Sequence, residues 1–338
     1  MSTLRFDETT CDWVIFAPQR ALRPHERASR DGQEPAATGD VSRSCPFCPG
    51  NEQFTPPEIH SVRSSDGAWR VRVFANRFPA LTIEESPLRS TDEHAFQSMG
   101  GCGAHEVIVE SPSHDLHLAQ QPLEQIGLLL QVLQARSRDL SRDSRFQSVV
   151  IFKNHGSTAG TSLTHPHWQL IATPVVPRQL RLKHITAMEY FDRSGECLYC
   201  AMTRQELAAG SRIVAENERF VAYVPFASRV PFEVRIVPRQ HQASFQQLTS
   251  EGMPSLAQIL RTVLAQLHSG LDNPDFNLTI EDAPRGDDDK EYFLWHLSII
   301  PRITTPAGFE LGSGMSINTV LSEDAAEFLR SASPPLVS

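Results

Sequence analysis

The chain has 338 residues, with 31 Lys and Arg against 40 Asp and Glu for a formal net charge of −9. That balance argues against a generic binder of nucleic-acid backbone, whose footprint is basic. No segment reads as a membrane span, since the most apolar helical stretch, LEQIGLLLQVLQ, is short and punctuated by Glu and Gln.

At the N-terminus, MSTLRFDETTCDW has no apolar signal-peptide core. The expectation is a cytoplasmic protein whose six cysteines are thiols or metal ligands rather than disulfides. Residues 26–44 are polar and read as a loop. Four cysteines form two C-x-x-C pairs, Cys45/Cys48 and Cys197/Cys200, while Cys11 and Cys102 read as small buried side chains. After CPFC come the strand-like WRVRVFANRF, EVIVESPSH ending at His114, the amphipathic helix PLEQIGLLLQVLQARSRDL, the strand FQSVVIFKN and then THPHWQLIATP. After CLYC come FVAYVPF, FEVRIVPRQH ending at His241, the helix SLAQILRTVLAQLHSGL, FNLTIED and LWHLSIIP. The same elements recur in the same order, which suggests one duplicated unit. The fold class expected is α+β, with an antiparallel sheet and one long helix in each half. The divisions expected are 1–174, a linker over 175–196, and 197–330.

THPHWQ places His165 and His167 on one face of an extended segment, because strand side chains repeat every two residues. Two imidazoles there read as a metal pair, as a nucleophile beside a ligand, or as chance. The C-P-F-C knuckle lets Cys45 and Cys48 bind one ion, and His114 and His165 complete a Cys2His2 set of the kind zinc prefers. His167 is then free for other chemistry. The stretch before it, KNHGSTAGTSLTH, is rich in small residues around Gly156 and Gly160. Its N–H groups and hydroxyls are expected to donate to phosphate oxygens. A small-residue loop leading into a histidine points to nucleophilic attack on phosphorus by a neutral imidazole, with Gln169 on the same face as a donor.

Taken together, RALRPH (20–25), CPFCPGNE (45–52), FANRFPAL (74–81), ESPSH (110–114), the K-N-x-G-x-x-A-G-x-S-x-x-H-P-H-x-Q run (153–169) and GFELGSGMSIN (308–318) resemble the galactose-1-phosphate uridylyltransferase family. That family is a branch of the histidine-triad superfamily built from two such repeats. The resemblance implies two tandem histidine-triad-like repeats, His167 as the nucleophile carrying a nucleoside monophosphate, and Gln169 and Ser162 on the transferring phosphate. It implies Asn154, Gly160 and Asn76 around the nucleotide, Arg20 and Arg23 near the phosphates, and Glu310 on a sugar hydroxyl. The implied reaction is ping-pong: UDP-glucose gives its uridylyl group to His167, and galactose 1-phosphate collects it. The resemblance thus implies a nucleotide sugar and a sugar 1-phosphate as partners and a homodimer as the assembly, and no nucleic acid and no membrane are expected.

In the second half, Cys197, Cys200 and His241 repeat three of the four proposed zinc ligands. The register sets Leu294 opposite His165 and His296 opposite His167, which makes His296 the candidate for the missing fourth ligand of a second zinc. Ser298 stands where the first half has Gln169, and no small-residue loop precedes it, so this half reads as structural. ITTPAG, ahead of G-F-E, lacks a lysine that some uridylyltransferases carry, so an adenylyl donor or a hydrolase of the same superfamily stays open. A zinc-ribbon binding module ranks lower, because few basic and aromatic residues surround the knuckles.

Overall fold

The computed structural model describes residues 2–22 and 44–332, so Arg23 and the loop as far as residue 43 lie outside the described residues. The strands are β1 (Thr3–Asp7), β2 (Asp12–Phe16), β3 (Glu58–Arg63), β4 (Trp69–Ala75), β5 (Arg89–Thr91), β6 (Gln97–Met99) and β7 (Ala104–Val109). Helix α1 (Leu123–Leu140), β8 (Ser148–His155), β9 (His167–Thr173), α2 (Arg178–Ser194) and α3 (Leu198–Ala209) follow. The remainder is β10 (Ile213–Glu216), β11 (Phe220–Tyr223), β12 (Val234–Pro238), α4 (Met253–Gly270), β13 (Phe276–Glu281), β14 (His296–Pro301), α5 (Gly308–Ser313), β15 (Ile317–Asn318) and α6 (Ser322–Ser331).

The protein is a mixed α+β structure around one antiparallel sheet of ten strands in the order β10-β11-β12-β14-β13-β8-β9-β7-β4-β3. The expectation of a separate sheet in each half is corrected here. β8 and β13 pair directly, with Asn154 opposite Asn277 and His155 opposite Phe276, and so fuse the halves. Two strands of this sheet, β3 and β10, were not foreseen, because EIHSVR and IVAE are short and lack a strict alternation of apolar and polar residues. The segment expected as a linker, 175–196, instead contains the helix α2. A smaller sheet, β1-β2-β15, flanks the large one.

The two faces of the large sheet differ. One carries α1 and α4, whose apolar residues recur at helical spacing: Ile126, Leu129, Leu130 and Leu133 in one helix, Leu256, Leu260, Val263 and Leu267 in the other. These side chains join Trp168, Leu170, Trp295 and Leu297 in a single core, and burying each leucine contributes about 1.5–3 kcal/mol. Gln134 ties the halves together by donating to the carbonyls of Phe245 (2.9 Å) and Leu248 (2.8 Å). Alternation along β9 then turns His167 and Gln169 to the opposite face. There the C-P-F-C knuckle packs Phe47 against Phe74, with ring centroids 5.5 Å apart. Over the second half, the same face is covered by α2 and α3, with Ala187, Leu198 and Tyr199 sealed against Tyr223, Phe293 and Leu294.

Candidate active site and metal centres

His167 opens β9 and is 7 % exposed, with the Phe47 ring 5.3 Å away edge-on. Its Nδ1 lies 2.8 Å from the His165 carbonyl. A carbonyl only accepts, so Nδ1 carries the proton and Nε2 keeps its lone pair. Burial pushes the imidazolium down to about 4, and the Lys153 ammonium adds to this against the pull of the His165 carbonyl. The ring is therefore neutral at neutral pH, the form a nucleophile needs. Lys153 reaches the His167 carbonyl at 3.5 Å and forms a buried ion pair with Glu110 at 2.9 Å, which Gln121 Nε2 also caps at 3.0 Å.

Gln169, two residues along the same face, meets a partner that sequence reading missed. His105 Nε2 lies 2.8 Å from Gln169 Oε1, and Asn76 Nδ2 lies 3.1 Å from the same nitrogen. His105 thus gathers Asn76 and Gln169 around itself. It sits on β7, which pairs with β9, and nothing in HEVIV marks that adjacency.

Asn154 is the penultimate residue of β8, beside the small-residue loop, a single 3-10 turn over Ser157–Ala159 flanked by Gly156 and Gly160, whose φ angles are +84° and +88°. Glycine adopts these left-handed values without steric cost. The expectation for the loop amides needs correction. Ala159 and Thr161 N–H donate to the Gly156 carbonyl, Gly160 N–H donates to Ser157, and Thr158 N–H goes to the Asp275 carboxylate. Those four amides are engaged within the protein, as is the Thr158 hydroxyl, which donates to the Asp275 carboxylate. Ser162 is exposed, and Thr161 Oγ1 is buried without a hydrogen-bond partner. Arg20 lies half-buried in the 3-10 turn Pro18–Leu22, and Glu310 caps its own helix by accepting from Ala307 N–H at 3.1 Å. Among the described residues, neither makes a hydrogen bond to His167, Gln169 or the loop.

Cys45, Cys48, His114 and His165 form one group whose ligand atoms all lie within 4.8 Å of one another. Cys48 Sγ is 3.3 Å from His114 Nδ1 and 3.5 Å from His165 Nδ1, and Cys45 Sγ is 3.8 Å from His165 Nδ1. A tetrahedral zinc with ordinary Zn–S and Zn–N bonds has ligand–ligand edges of about 3.4–3.8 Å. The outer nitrogens are held as well, His165 Nε2 by the Ser111 carbonyl (2.9 Å) and His114 Nε2 by Thr164 Oγ1 (3.1 Å). Burial pushes the Cys48 thiol up to about 12, with Cys45 beside it adding to the rise. A cation would offset the cost of ionising two buried thiols, so the donor set fits a metal ion.

A second group holds Cys197, Cys200 and His241, with Cys200 Sγ 3.4 Å from His241 Nδ1. His296 is not brought to it. The His296 ring is fully buried beneath Tyr199, its Nδ1 is 3.0 Å from the Leu294 carbonyl, and its Nε2 is 3.4 Å from Glu281. The carboxylate of Glu281 also takes Lys183 from α2 and Ser298 Oγ at 3.1 Å. The place equivalent to His167 is thus filled by an ion pair and closed by a helix. The second metal group keeps three protein ligands, of which Cys200 is partly exposed and His241 exposed.

The model of the galactose-1-phosphate uridyl transferase N-terminal domain matches residues 1–177 and that of the C-terminal domain residues 183–332. The chain is 33% identical to an ADP-glucose phosphorylase of Arabidopsis thaliana over 98% of this chain and 93% of that one. It is 29% identical to a galactose-1-phosphate uridylyltransferase of Thermotoga maritima over 98% of each chain. A crystal structure of an Arabidopsis thaliana ADP-glucose phosphorylase with bound ADP-glucose superposes with a TM-score of 0.85 at 31% identity, covering 99% of this chain and 100% of that one. Matched along nearly its whole length by both domain models, this chain belongs to the galactose-1-phosphate uridyl transferase family of nucleotidyl-transferring enzymes.

Proposed function

We propose that the protein is a UDP-glucose:hexose-1-phosphate uridylyltransferase working by ping-pong transfer through His167. The observation that carries this reading is the imidazole itself, buried, neutral and held by the His165 carbonyl so that Nε2 is the free nitrogen. In the first half-reaction Nε2 forms a bond to the α-phosphorus of UDP-glucose while the bridging P–O bond breaks and glucose 1-phosphate leaves. In the second, a phosphate oxygen of galactose 1-phosphate attacks the same phosphorus, the N–P bond breaks, and UDP-galactose departs with His167 restored. The leaving group is already a phosphate, so positioning and charge neutralisation carry most of the rate.

In this reading Gln169, Ser162 and the unpartnered Thr161 hydroxyl meet the transferring phosphate, and Asn154, Gly160 and Asn76 place the nucleotide. Arg20 and Arg23 neutralise charge, and Glu310 takes a sugar hydroxyl. Zinc in the Cys45–Cys48–His114–His165 group would brace the segment leading into His167, a structural role. A second zinc at Cys197, Cys200 and His241 would keep one position for a non-protein ligand. The ten strands run, from either edge inward, in the order first, second, third, fifth, fourth of each half. That order supports two tandem histidine-triad-like units, divided near residue 174 with α2 in place of a free linker. A homodimer belongs to the reading, since the Glu310 helix exposes Phe309 and Leu311, which a second copy would cover. No helix among the described residues is long and apolar enough to cross a membrane. None of the described cysteines is in a disulfide, and a cytoplasmic location belongs to this reading.

A second reading keeps His167 and changes the donor. A relative of the same family, 33% identical, is an ADP-glucose phosphorylase, and the donor in its name carries an adenylyl group. Intact-protein mass after incubation with UDP-glucose or ADP-glucose tests both. One uridylyl group gained by the wild type and absent in His167→Gly supports the first reading, and adenylyl gain alone selects the second. No adduct from either donor removes the covalent route.

A further inference from the structure

The small-residue loop takes its shape from the half of the chain that carries no nucleophile, and we infer that Asp275 and Asn277 are positioning residues for nucleotidyl transfer. The inference rests on the transfer reading above and assigns a role in that reaction to the second half. Asp275 stands just before β13, with its own carbonyl fixed by Arg302 N–H at 2.7 Å. Its carboxylate Oδ2 accepts from both Thr158 N–H (2.7 Å) and Thr158 Oγ1 (2.6 Å), holding the loop at its tip. Gly156 lies so close that a Cβ there would overlap this carboxylate. The absence of a side chain at Gly156 is therefore needed both for its positive φ and for the approach of Asp275. Asn277 grips the other side, its Nδ2 donating to the Ala159 carbonyl (2.9 Å) and to Asn154 Oδ1 (2.9 Å).

The consequences reach the candidate phosphate donors. With its oxygen occupied by Asn277, Asn154 has its Nδ2 end free, and this lies beside Gly160. Thr161, whose buried hydroxyl has no partner, follows directly from the turn that Asp275 and Asn277 hold. A carboxylate beside a phosphate-binding loop opposes binding by its charge, so its presence here calls for another reason. Two short hydrogen bonds to Thr158 supply one. A charged acceptor also makes the stronger class of hydrogen bond, which suits a turn of small residues with little packing of its own.

The test compares Asp275→Ala, Asp275→Asn and Asn277→Ala with the wild type in the full-length protein. Three quantities are read: amide hydrogen exchange over 156–162 without ligand, the single-turnover rate of nucleotidyl-histidine formation, and Tm. Displacing catalytic groups by about 1 Å costs on the order of a hundredfold in rate. Asp275→Ala should therefore lose on the order of ten- to a hundredfold in nucleotidylation, with faster exchange confined to the loop and a nearly unchanged Tm. Asp275→Asn keeps an oxygen for Thr158 and should recover most of the rate. Unchanged loop exchange in Asp275→Ala, or an equal rate loss in Asp275→Asn, overturns the inference. If the wild type forms no nucleotidyl-histidine from UDP-glucose or ADP-glucose, it is the transfer reading that falls. The exchange comparison then decides alone, with raised exchange upholding loop positioning and unchanged exchange overturning it.

Discussion

Replacing His105 with alanine isolates one link in the candidate site. Ala80 N–H donates to His105 Nδ1 at 3.2 Å, so Nε2 carries the ring proton given to Gln169 Oε1 at 2.8 Å, and Asn76 Nδ2, itself a donor, stands beside that nitrogen without a bond to it. With its oxygen held, the Gln169 amide offers its NH2 end to whatever binds beside His167. In His105→Ala the exposed Ala80 N–H turns to water, and the net stability loss is that of one half-buried neutral hydrogen bond, about 1 kcal/mol. The effect on transfer is larger than that figure suggests. Removing a donor aimed at charge developing in the transition state costs about a hundred- to a thousandfold, which is the expectation for Gln169→Ala. An amide that is present but no longer held should fall short of that, by about tenfold or about 1.4 kcal/mol in the barrier. The assay is the single-turnover formation of nucleotidyl-His167 in a double-mutant cycle. The double variant His105→Ala/Gln169→Ala should be no slower than Gln169→Ala alone, because His105 acts through that side chain. His105→Gln, which keeps a donor near the position of Nε2, should regain part of the rate. Losses that multiply in the double variant would refute the reasoning.

Three further outcomes are expected. Cys45→Ser should lower bound zinc and thermal stability together, since closed four-ligand sites contribute to folding; unchanged metal by elemental analysis would exclude that site. In the wild type, a chelator should strip the partly exposed three-ligand group at Cys197, Cys200 and His241 faster than the four-ligand one, and release in a single phase would contradict the difference in coordination. Asp282 concerns pH. Burial pushes its carboxyl up to about 6, while its oxygen accepts from Phe245 and Ala283 N–H at 2.9 Å each. A folded-state value above the unfolded one means that this group favours the fold below the unfolded pKa and loses that contribution as pH rises through 6. Two pH units correspond to about 3 kcal/mol. Asp282→Asn retains an oxygen for both N–H groups and should raise stability at pH 7.5 by up to that amount, the gain vanishing toward pH 4. A gain independent of pH in denaturant titrations would show that the carboxyl is not the cause.

The parts of the site that sequence could reveal are those set by spacing within one segment. A C-x-x-C knuckle presents two thiols to one ion wherever it occurs, and the period of two along THPHWQ puts His165, His167 and Gln169 on one face without reference to any neighbour. The helices α1 and α4 were legible for a similar reason, through apolar residues at their own 3.6-residue period. What tertiary structure decided was adjacency. A strand pattern tells which side chains share a face but not which strand lies alongside, so His105 beside Gln169, and Asp275 and Asn277 beside the loop, had no local signature. His296 shows the same limit from the other side. Its register with His167 was readable, but the helix α2, hidden in a charged stretch that resembles a linker, brings Lys183 to Glu281 and closes that position. The direct pairing of β8 with β13 joins two self-similar halves into one sheet, and it depends on edges meeting across more than a hundred residues of chain. Such non-local pairing is selected by burial of the whole core, which no single segment encodes.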